Sequence, residues 1–276
     1  MRYIETVLFI KMNYEFAKPS IVLQPYIKQY WAIENALDKG TIHSQRVIAT
    51  GLPELLFYFG NRPTSDQRII EGNTLLNGQQ NDYYDLLISD TLSMFTITFH
   101  PSGLSHFLKI PLSELQNQTL LFEYIDKASS QQLEEQLWEA TSFRQRIEIV
   151  EAYFLKRLNN QPISVDHQRM IHTTELIKSS KGIVSIDFLA SKACLSRKQY
   201  ERKFLAHIGI SPKQFLKIIR FQNAIHLKQL NLSLTELAFE TGYYDQSHFI
   251  NEVKELTGQT PKKLFANGEI ISDFFR

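Results

Sequence analysis

The stretch Phe188-Leu189-Ala190-Ser191-Lys192-Ala193-Cys194-Leu195-Ser196, followed by Tyr200-Glu201-Arg202-Lys203-Phe204 and Gly209-Ile210-Ser211-Pro212, recurs in altered form further along the chain. The second copy runs Glu236-Leu237-Ala238, Thr241-Gly242-Tyr243-Tyr244-Asp245, Phe249-Ile250-Asn251-Glu252-Val253 and Gly258-Gln259-Thr260-Pro261. From Ser196 onward the offset is 49 residues, pairing Tyr200 with Phe249, Gly209 with Gly258 and Pro212 with Pro261. Upstream it is 48, pairing Ala190 with Ala238, so the second copy has one extra residue in its turn. A repeat of this kind is one supersecondary unit used twice.

Each copy reads as helix, tight turn, helix. Ser185 is placed to cap a short helix whose apolar residues Ile186, Leu189, Ala190 and Ala193 keep helical spacing. Ser196 with Gln199 forms a capping-box pattern opening a second helix, in which Tyr200 and Phe204 face inward and Arg197, Lys198, Glu201 and Arg202 face out. In the second copy Ser233 with Glu236 gives another capping box and Gly242 supplies the turn. Phe249 and Val253 face inward there, leaving Gln246, Ser247 and Asn251 on the outward face. Two helix-turn-helix units are predicted, each with a polar, solvent-facing second helix.

From Lys192 to Lys228 there are nine Lys or Arg and one acid, Glu201, or +8 in 37 residues. A basic run is by default a solvated helical surface. This one surrounds a predicted recognition helix, which turns the reading toward a phosphate backbone.

The region from about Asp166 to Phe265 resembles the DNA-binding domain of the AraC/XylS family of bacterial transcription regulators. The residues that carry the resemblance are Leu195-Ser196, Tyr200-x-Arg202-x-Phe204, Gly209-x-Ser211-Pro212, Ala238-x-x-x-Gly242-Tyr243, Asp245-Gln246-Ser247-His248-Phe249 and Gly258-x-Thr260-Pro261. It implies two helix-turn-helix units joined by a linking helix, reading successive major-groove faces of one duplex. The chain departs from the family pattern at Asn251 and Val253, where Arg and Phe are usual.

Composition fits two domains. The chain has 276 residues, 43% of them hydrophobic and 21% charged, as in ordinary globular proteins. Residues 162–276 carry 16 basic and 11 acidic groups, and residues 1–161 carry 14 and 18, so the halves suit different partners. The single cysteine, Cys194, suits a reducing compartment and is expected to be a small buried hydrophobe. No secretory signal or membrane span is evident, and a cytoplasmic protein is expected.

The N-terminal half reads as short strands broken by turn signals. Residues 13–25, with Pro19 and Pro25, are expected to be irregular. Strands are predicted at Tyr26–Ile33, Arg46–Ala49, Glu54–Phe59, Ile69–Ile70, Thr74–Leu76, Tyr83–Ile88 and Leu92–Phe99, the last with apolar 95, 97 and 99 on one face. Helices follow over Gly103–Ile110, Ser130–Ala140 and Phe143–Leu158. The predicted fold class is α+β, a β-sandwich or small barrel with trailing helices over 1–160, then an all-α domain over 162–268. Asn159-Asn160-Gln161-Pro162 is the expected linker. The first half also resembles the cupin-like sensor regions found ahead of such DNA-binding domains, through Pro25-Tyr26-Ile27, Gly51-Leu52-Pro53-Glu54-Leu55, Gly78-Gln79-Gln80 and Phe99-His100-Pro101-Ser102-Gly103-Leu104. In related regulators such regions bind effectors or dimerise.

Candidate DNA contacts are Arg197, Lys198, Glu201 (as an acceptor from cytosine) and Arg202 in the first unit, and Gln246, Ser247, His248 and Asn251 in the second. Trp31, Phe57, Phe59 and Phe95 are candidates to line a small-molecule pocket, with a packed core as the commoner use of such residues. The histidines of the first half, His43, His100 and His106, form no metal-ligand spacing. No catalytic motif appears, so no metal, cofactor or enzyme activity is expected. The expected partner is double-stranded DNA. A small-molecule effector, RNA polymerase and a second copy of the chain stay open, and no membrane partner is expected.

Overall fold

The computed structural model describes residues 13–36, 40–66, 70–158, 163–228, 230 and 232–266. The expected linker 159–162, the strand residue Ile69 and the apolar tail from Asn267 lie outside them.

Six antiparallel strands make one sheet in the order β1 (Asn13–Ala17), β2 (Ile27–Ala36), β7 (Thr91–Phe99), β4 (Glu54–Tyr58), β5 (Thr74–Asn77), β8 (Thr119–Leu121). A second sheet pairs β3 (Ile42–Val47) with β6 (Tyr84–Ser89). Alternation along the strands gives the large sheet two apolar faces. Trp31, Ile33, Leu56, Tyr58 and Met94 face one way and pack with Ile88 of the small sheet. Tyr30, Leu55, Phe57, Phe95, Ile97 and Phe99 face the other way, under helices α1 (Leu104–Phe107), α2 (Lys127–Glu139) and α3 (Phe143–Leu158). Of the two expected architectures, a sandwich or a barrel, this is the sandwich. The stripe of α3 lies on its own sheet, where Phe154 meets Phe99 edge-on at 5.5 Å and Phe143 meets Phe95 at 5.8 Å.

Among the strand expectations, Ile70 lies in no strand, and two more need correction. Residues 13–17 form an edge strand, with Tyr14 opposite Ile33 and Phe16 opposite Trp31. Nearly all of its residues are exposed, so it lacks the alternation that reveals a half-buried strand. The strand expected at 46–49 is Ile42–Val47, and its continuation leaves the sheet: Ala49 is buried among the helices of the C-terminal region.

Those helices are α4 (Val165–Ser179), α5 (Ile186–Lys192), α6 (Arg197–Ile208), α7 (Pro212–Lys228), α8 (Leu234–Glu240), α9 (Gln246–Thr257) and α10 (Pro261–Ala266). Their starts follow the capping chemistry of the sequence. Ser196–Gln199 and Ser233–Glu236 form full capping boxes, and Ser211 and Gln214 exchange the same reciprocal bonds before α7. Each such cap stabilises its helix by about 1 kcal/mol. Among the described residues no helix is long and apolar enough to cross a membrane.

A row of imidazoles joins the two regions. His106 of α1, His167 of α4 and His207 of α6 stack edge to face at 5.5 and 6.1 Å, with the Tyr26 ring 4.7 Å from His106. Burial, then the neighbouring His106 and His207, holds His167 down to about 4. His100 is held down to about 4 by burial and then by Lys178 of α4. Both rings are therefore neutral in the fold, whereas the unfolded chain protonates them near 6.5. Stability from this source is full above pH 6.5 and is lost as pH falls toward 4. Between pH 7 and pH 5 the melting temperature should drop on the order of 5 °C. A His100→Asn/His167→Asn double variant should lose most of that slope in thermal melts; an unchanged slope would place the titrating groups elsewhere.

Candidate nucleic-acid interface

In the first unit, α6 is anchored by Tyr200, Phe204 and Ile208, all fully buried at i, i+4 and i+8. In the second, Phe249, Val253 and Leu256 anchor α9. The turns between helices are superposable in their hydrogen bonds. The Cys194 amide donates to Ser191 and the Leu195 amide to Ala190, as Gly242 donates to Phe239 and Tyr243 to Ala238, all between 2.9 and 3.0 Å. Cys194 and Gly242 occupy the same left-handed position, with φ of 54° and 74°. This corrects the expectation for Cys194, which is exposed: a turn in this conformation directs its side chain to solvent. The equivalence also shows that Tyr244 is the extra residue of the second copy.

The first residue of the second helix in each unit, α6 and α9, is tied to the same place on the helix before it. The Arg197 guanidinium meets Asp187 at 3.1 Å and donates to Glu201 at 3.1 Å. At the equivalent pair, the Thr235 hydroxyl donates to the Gln246 side-chain oxygen at 3.1 Å. These contacts are exposed and screened by solvent, so a phosphate or base edge can take Arg197 over. Lys198 and Arg202 are exposed and enter no ion pair among the described residues. Ser247 and Asn251 are exposed as well, and His248 stands edge-on to Tyr243 at 5.3 Å. Other cations of the basic run work inside the domain: Lys203 pairs with Asp166 and Lys217 with Glu255.

Arg220 pairs with Glu252, which is 3% exposed yet sits one turn into the buried face of α9. Its carboxylate accepts from Arg220 Nη2 at 3.1 and 3.2 Å and from the Tyr243 hydroxyl at 2.6 Å. It thus joins the linking helix α7, the second turn and α9. Sequence reading passed it over, although a signal was present: Phe249, Glu252, Val253 and Leu256 are spaced i, i+3, i+4, i+7, a buried stripe with an acid inside it.

The N-terminal region rests on the C-terminal ends of both α6 and α9. α6 and α9 end at Gly209 (φ +96°) and Gly258 (φ +70°). A Cβ on Gly209 would lie 3.0 Å from the Leu112 carbonyl oxygen and 3.1 Å from the Gln79 side chain; one on Gly258 would lie 2.4 Å from the Tyr83 ring. Arg46 donates to the Thr257 carbonyl at 3.1 Å, is clamped by Asp85 at 2.7 Å and lies over the Tyr83 ring at 4.5 Å. Between these two points Gln222 of α7 donates to the Thr50 carbonyl at 2.7 Å, and Gln79 donates to the Gly51 carbonyl at 2.9 Å.

The four aromatic pocket candidates are divided by the large sheet. Phe57 and Phe95 sit together on the helix-covered face, their centroids 6.2 Å apart. Trp31 is on the other face, donating to Thr98 Oγ1 at 3.1 Å. Phe59 lies at the rim between Trp138 and the Arg146 guanidinium. A cavity of about 330 Å³ opens further along the helix-covered face, lined by Leu55, Phe99, Phe107, Phe122 and Phe154. Its polar groups are Lys109, Tyr124, Asp126, Tyr153 and Arg157. Asp126 holds Arg157 in an ion pair, and the Tyr153 hydroxyl donates to Asp126 at 3.3 Å. Nothing in the strand alternation marks these residues, because they come from one sheet face, α1 and its following loop, a 3₁₀ turn and α3. Among the described residues no three His, Cys, Asp or Glu side chains converge on a metal position.

Residues 189–267 match a family model described as a helix-turn-helix domain, and residues 15–121 match one described as a domain of unknown function, DUF6597. An uncharacterized HTH-type transcriptional regulator of Haemophilus influenzae is 38% identical over 79 residues, 28% of this chain and 26% of that protein. The HTH-type transcriptional activator RhaS of Escherichia fergusonii is 29% identical over 82 residues, 29% of this chain and 30% of that protein. The chain therefore matches less than a third of the length of these relatives. The crystal structure of ToxT from Vibrio cholerae is 13% identical with a TM-score of 0.45, covering 86% of this chain and 97% of that one.

Removing the buried acid should be costly. Glu252→Ala leaves Arg220 and the Tyr243 hydroxyl without their acceptor and should destabilise the fold by about 3 kcal/mol, read from denaturant melts; a loss under about 1 kcal/mol would mean the site is solvated. Gly258→Ala should cost about 1–2 kcal/mol from the left-handed backbone alone, plus the collision with Tyr83. In a Tyr83→Ala background the second part should vanish, and a double-mutant cycle without coupling would separate the two regions.

Proposed function

On the premise that the C-terminal helices are an AraC-type helix-turn-helix domain, we propose that this protein is a sequence-specific DNA-binding regulator of transcription that reads a bipartite site on double-stranded DNA. The observation that carries this reading is the equivalence of the two units. Each exposes the N-terminal half of its second helix, and each ties that helix's first residue to the preceding helix at the same place. Recognition helices entering the same face of one duplex would lie about 34 Å apart, roughly 10 base pairs. The first unit supplies most of the Coulomb attraction through Arg197, Lys198 and Arg202, with Glu201 as an acceptor. The second reads through the uncharged groups of Gln246, Ser247, His248 and Asn251.

Residues 1–160 are the regulatory domain of this reading and 162–268 the DNA-binding domain. The cavity beside Phe99 and Phe154, apolar with a polar edge, suits a small effector molecule. The contacts of Gln79, Tyr83 and Arg46 with both helix ends give such an effector a physical path to DNA affinity. A second reading makes the N-terminal domain only an oligomerisation or protein-contact module. It is favoured by the edge strand β1, whose Tyr14 and Phe16 rings stack at 5.9 Å on an exposed surface.

Selection from a genomic DNA library by the full-length chain tests the proposal. The expected product is a site with two elements about 10 base pairs apart. Lys198→Ala or Arg202→Ala should weaken binding roughly tenfold and lower the salt slope by about 1, more than Asn251→Ala does. Equal losses would contradict the dominance of the first unit. Selection of no sequence above a salt-sensitive background would remove the proposal.

A further inference from the structure

The second unit differs from the first by one inserted residue, and that residue is an aromatic standing in solvent. Tyr244 is 95% exposed, between the buried Tyr243 and the helix cap Asp245. A second exposed ring lies close by in the unit. Phe239 is 81% exposed and follows Thr235 by one helical turn, so both share one face of α8. Thr235 is the residue that reaches Gln246 at the start of α9, which sets this face beside the N-terminus of the recognition helix. The first unit has Ser191 at the position of Phe239 and nothing at that of Tyr244.

Charge runs the opposite way. The N-terminal half of α6 carries Arg197, Lys198 and Arg202, whereas α9 has no Lys or Arg before Lys254. An exposed aromatic gains free energy when it covers apolar surface. The apolar group that the major groove offers is the C5 methyl of thymine.

We propose that Tyr244, aided by Phe239, reads thymine methyl groups in the half of the site that faces α9. The two units then recognise DNA by different physics: the first by charge and hydrogen bonds, the second by an apolar contact that selects A·T pairs. This inference rests on the DNA-binding reading above.

The test uses the full-length chain on its selected site, with each thymine of the α9 half replaced by deoxyuridine. That change removes the methyl group and leaves base pairing and the other groove groups in place. Binding should weaken roughly tenfold, while the same replacement in the α6 half should change it less than about twofold. Tyr244→Ala should weaken binding to the thymine site to a similar extent, show no further loss on deoxyuridine, and keep the salt slope, since no phosphate contact is lost. Tyr244→Phe, which keeps the ring, should retain the response. Wild-type binding that ignores deoxyuridine in the α9 half overturns the inference. So does a Tyr244→Ala variant that binds both duplexes as wild type does, an outcome that assigns the rings to a protein partner. If the full-length chain selects no site at all, the DNA-binding reading itself fails before any deoxyuridine is introduced.

Discussion

A helix that ends at a glycine in the left-handed conformation exposes a flat patch of backbone where another chain segment can sit. Helices α6 and α9 both end this way, at Gly209 and Gly258, and the N-terminal region occupies both patches. The backbone at these ends does two tasks at once. It satisfies the last carbonyls of each helix, the Gly209 amide donating to Leu205 and the Gly258 amide to Lys254. It also lets Leu112 and Gln79 press tightly on Gly209, and lets Tyr83 approach Gly258 closer than a side chain there would permit. The ends of α6 and α9 that point away from the proposed DNA surface are thus set against the two packed sheets, α6 through Gln79 after β5 of the large sheet and α9 through Tyr83 before β6 of the small one.

The interior of the C-terminal helical region makes the complementary link. Glu252 ties α9 to α7 through Arg220 and to the second turn through Tyr243. A buried carboxylate is expensive to desolvate unless its partners are in place, so this cluster favours one arrangement of α7, the turn and α9 over loosely packed alternatives. α7 in turn touches the N-terminal region through Gln222 and Thr50, and through the close packing of Phe215 on Gly51. The two units are held both through their shared linking helix and through the domain that lies across their ends.

Much of this was legible in the sequence because it depends on short-range chemistry. Capping boxes at Ser196 and Ser233, the αL glycine at 242, and the inward pairs Tyr200/Phe204 and Phe249/Val253 are local patterns, and the structure has each of them. Strand β7 was equally plain from its alternation, and β4 from its apolar run between turn signals. What sequence reading missed depends on long-range placement. β1 became a strand because β2 offers it an edge, not because its own residues alternate. Cys194 took a conformation usually left to glycine because the turn geometry of the repeat outweighs its intrinsic preference. Glu252 is buried because Arg220, 32 residues away, comes to meet it. The candidate DNA contacts were visible as outward positions on two helices, whereas the cavity is assembled from elements spread over a hundred residues and left no periodic trace.

The burial of Ala49 among the helices of the C-terminal region bears on how the molecule can be divided. It lies within one short segment, from Ile48 to Gly51, that contributes to the other region's interior, where Phe215 and Ile218 close over it. The line at which composition and charge change along the chain is therefore not the line at which cooperative units separate. Cutting between residues 159 and 162 would leave the helical part with an open seam where this segment had been, and apolar side chains facing water. The domains are modular as text and interdependent as solids, and recombining either with a foreign partner would require that partner to supply an equivalent plug.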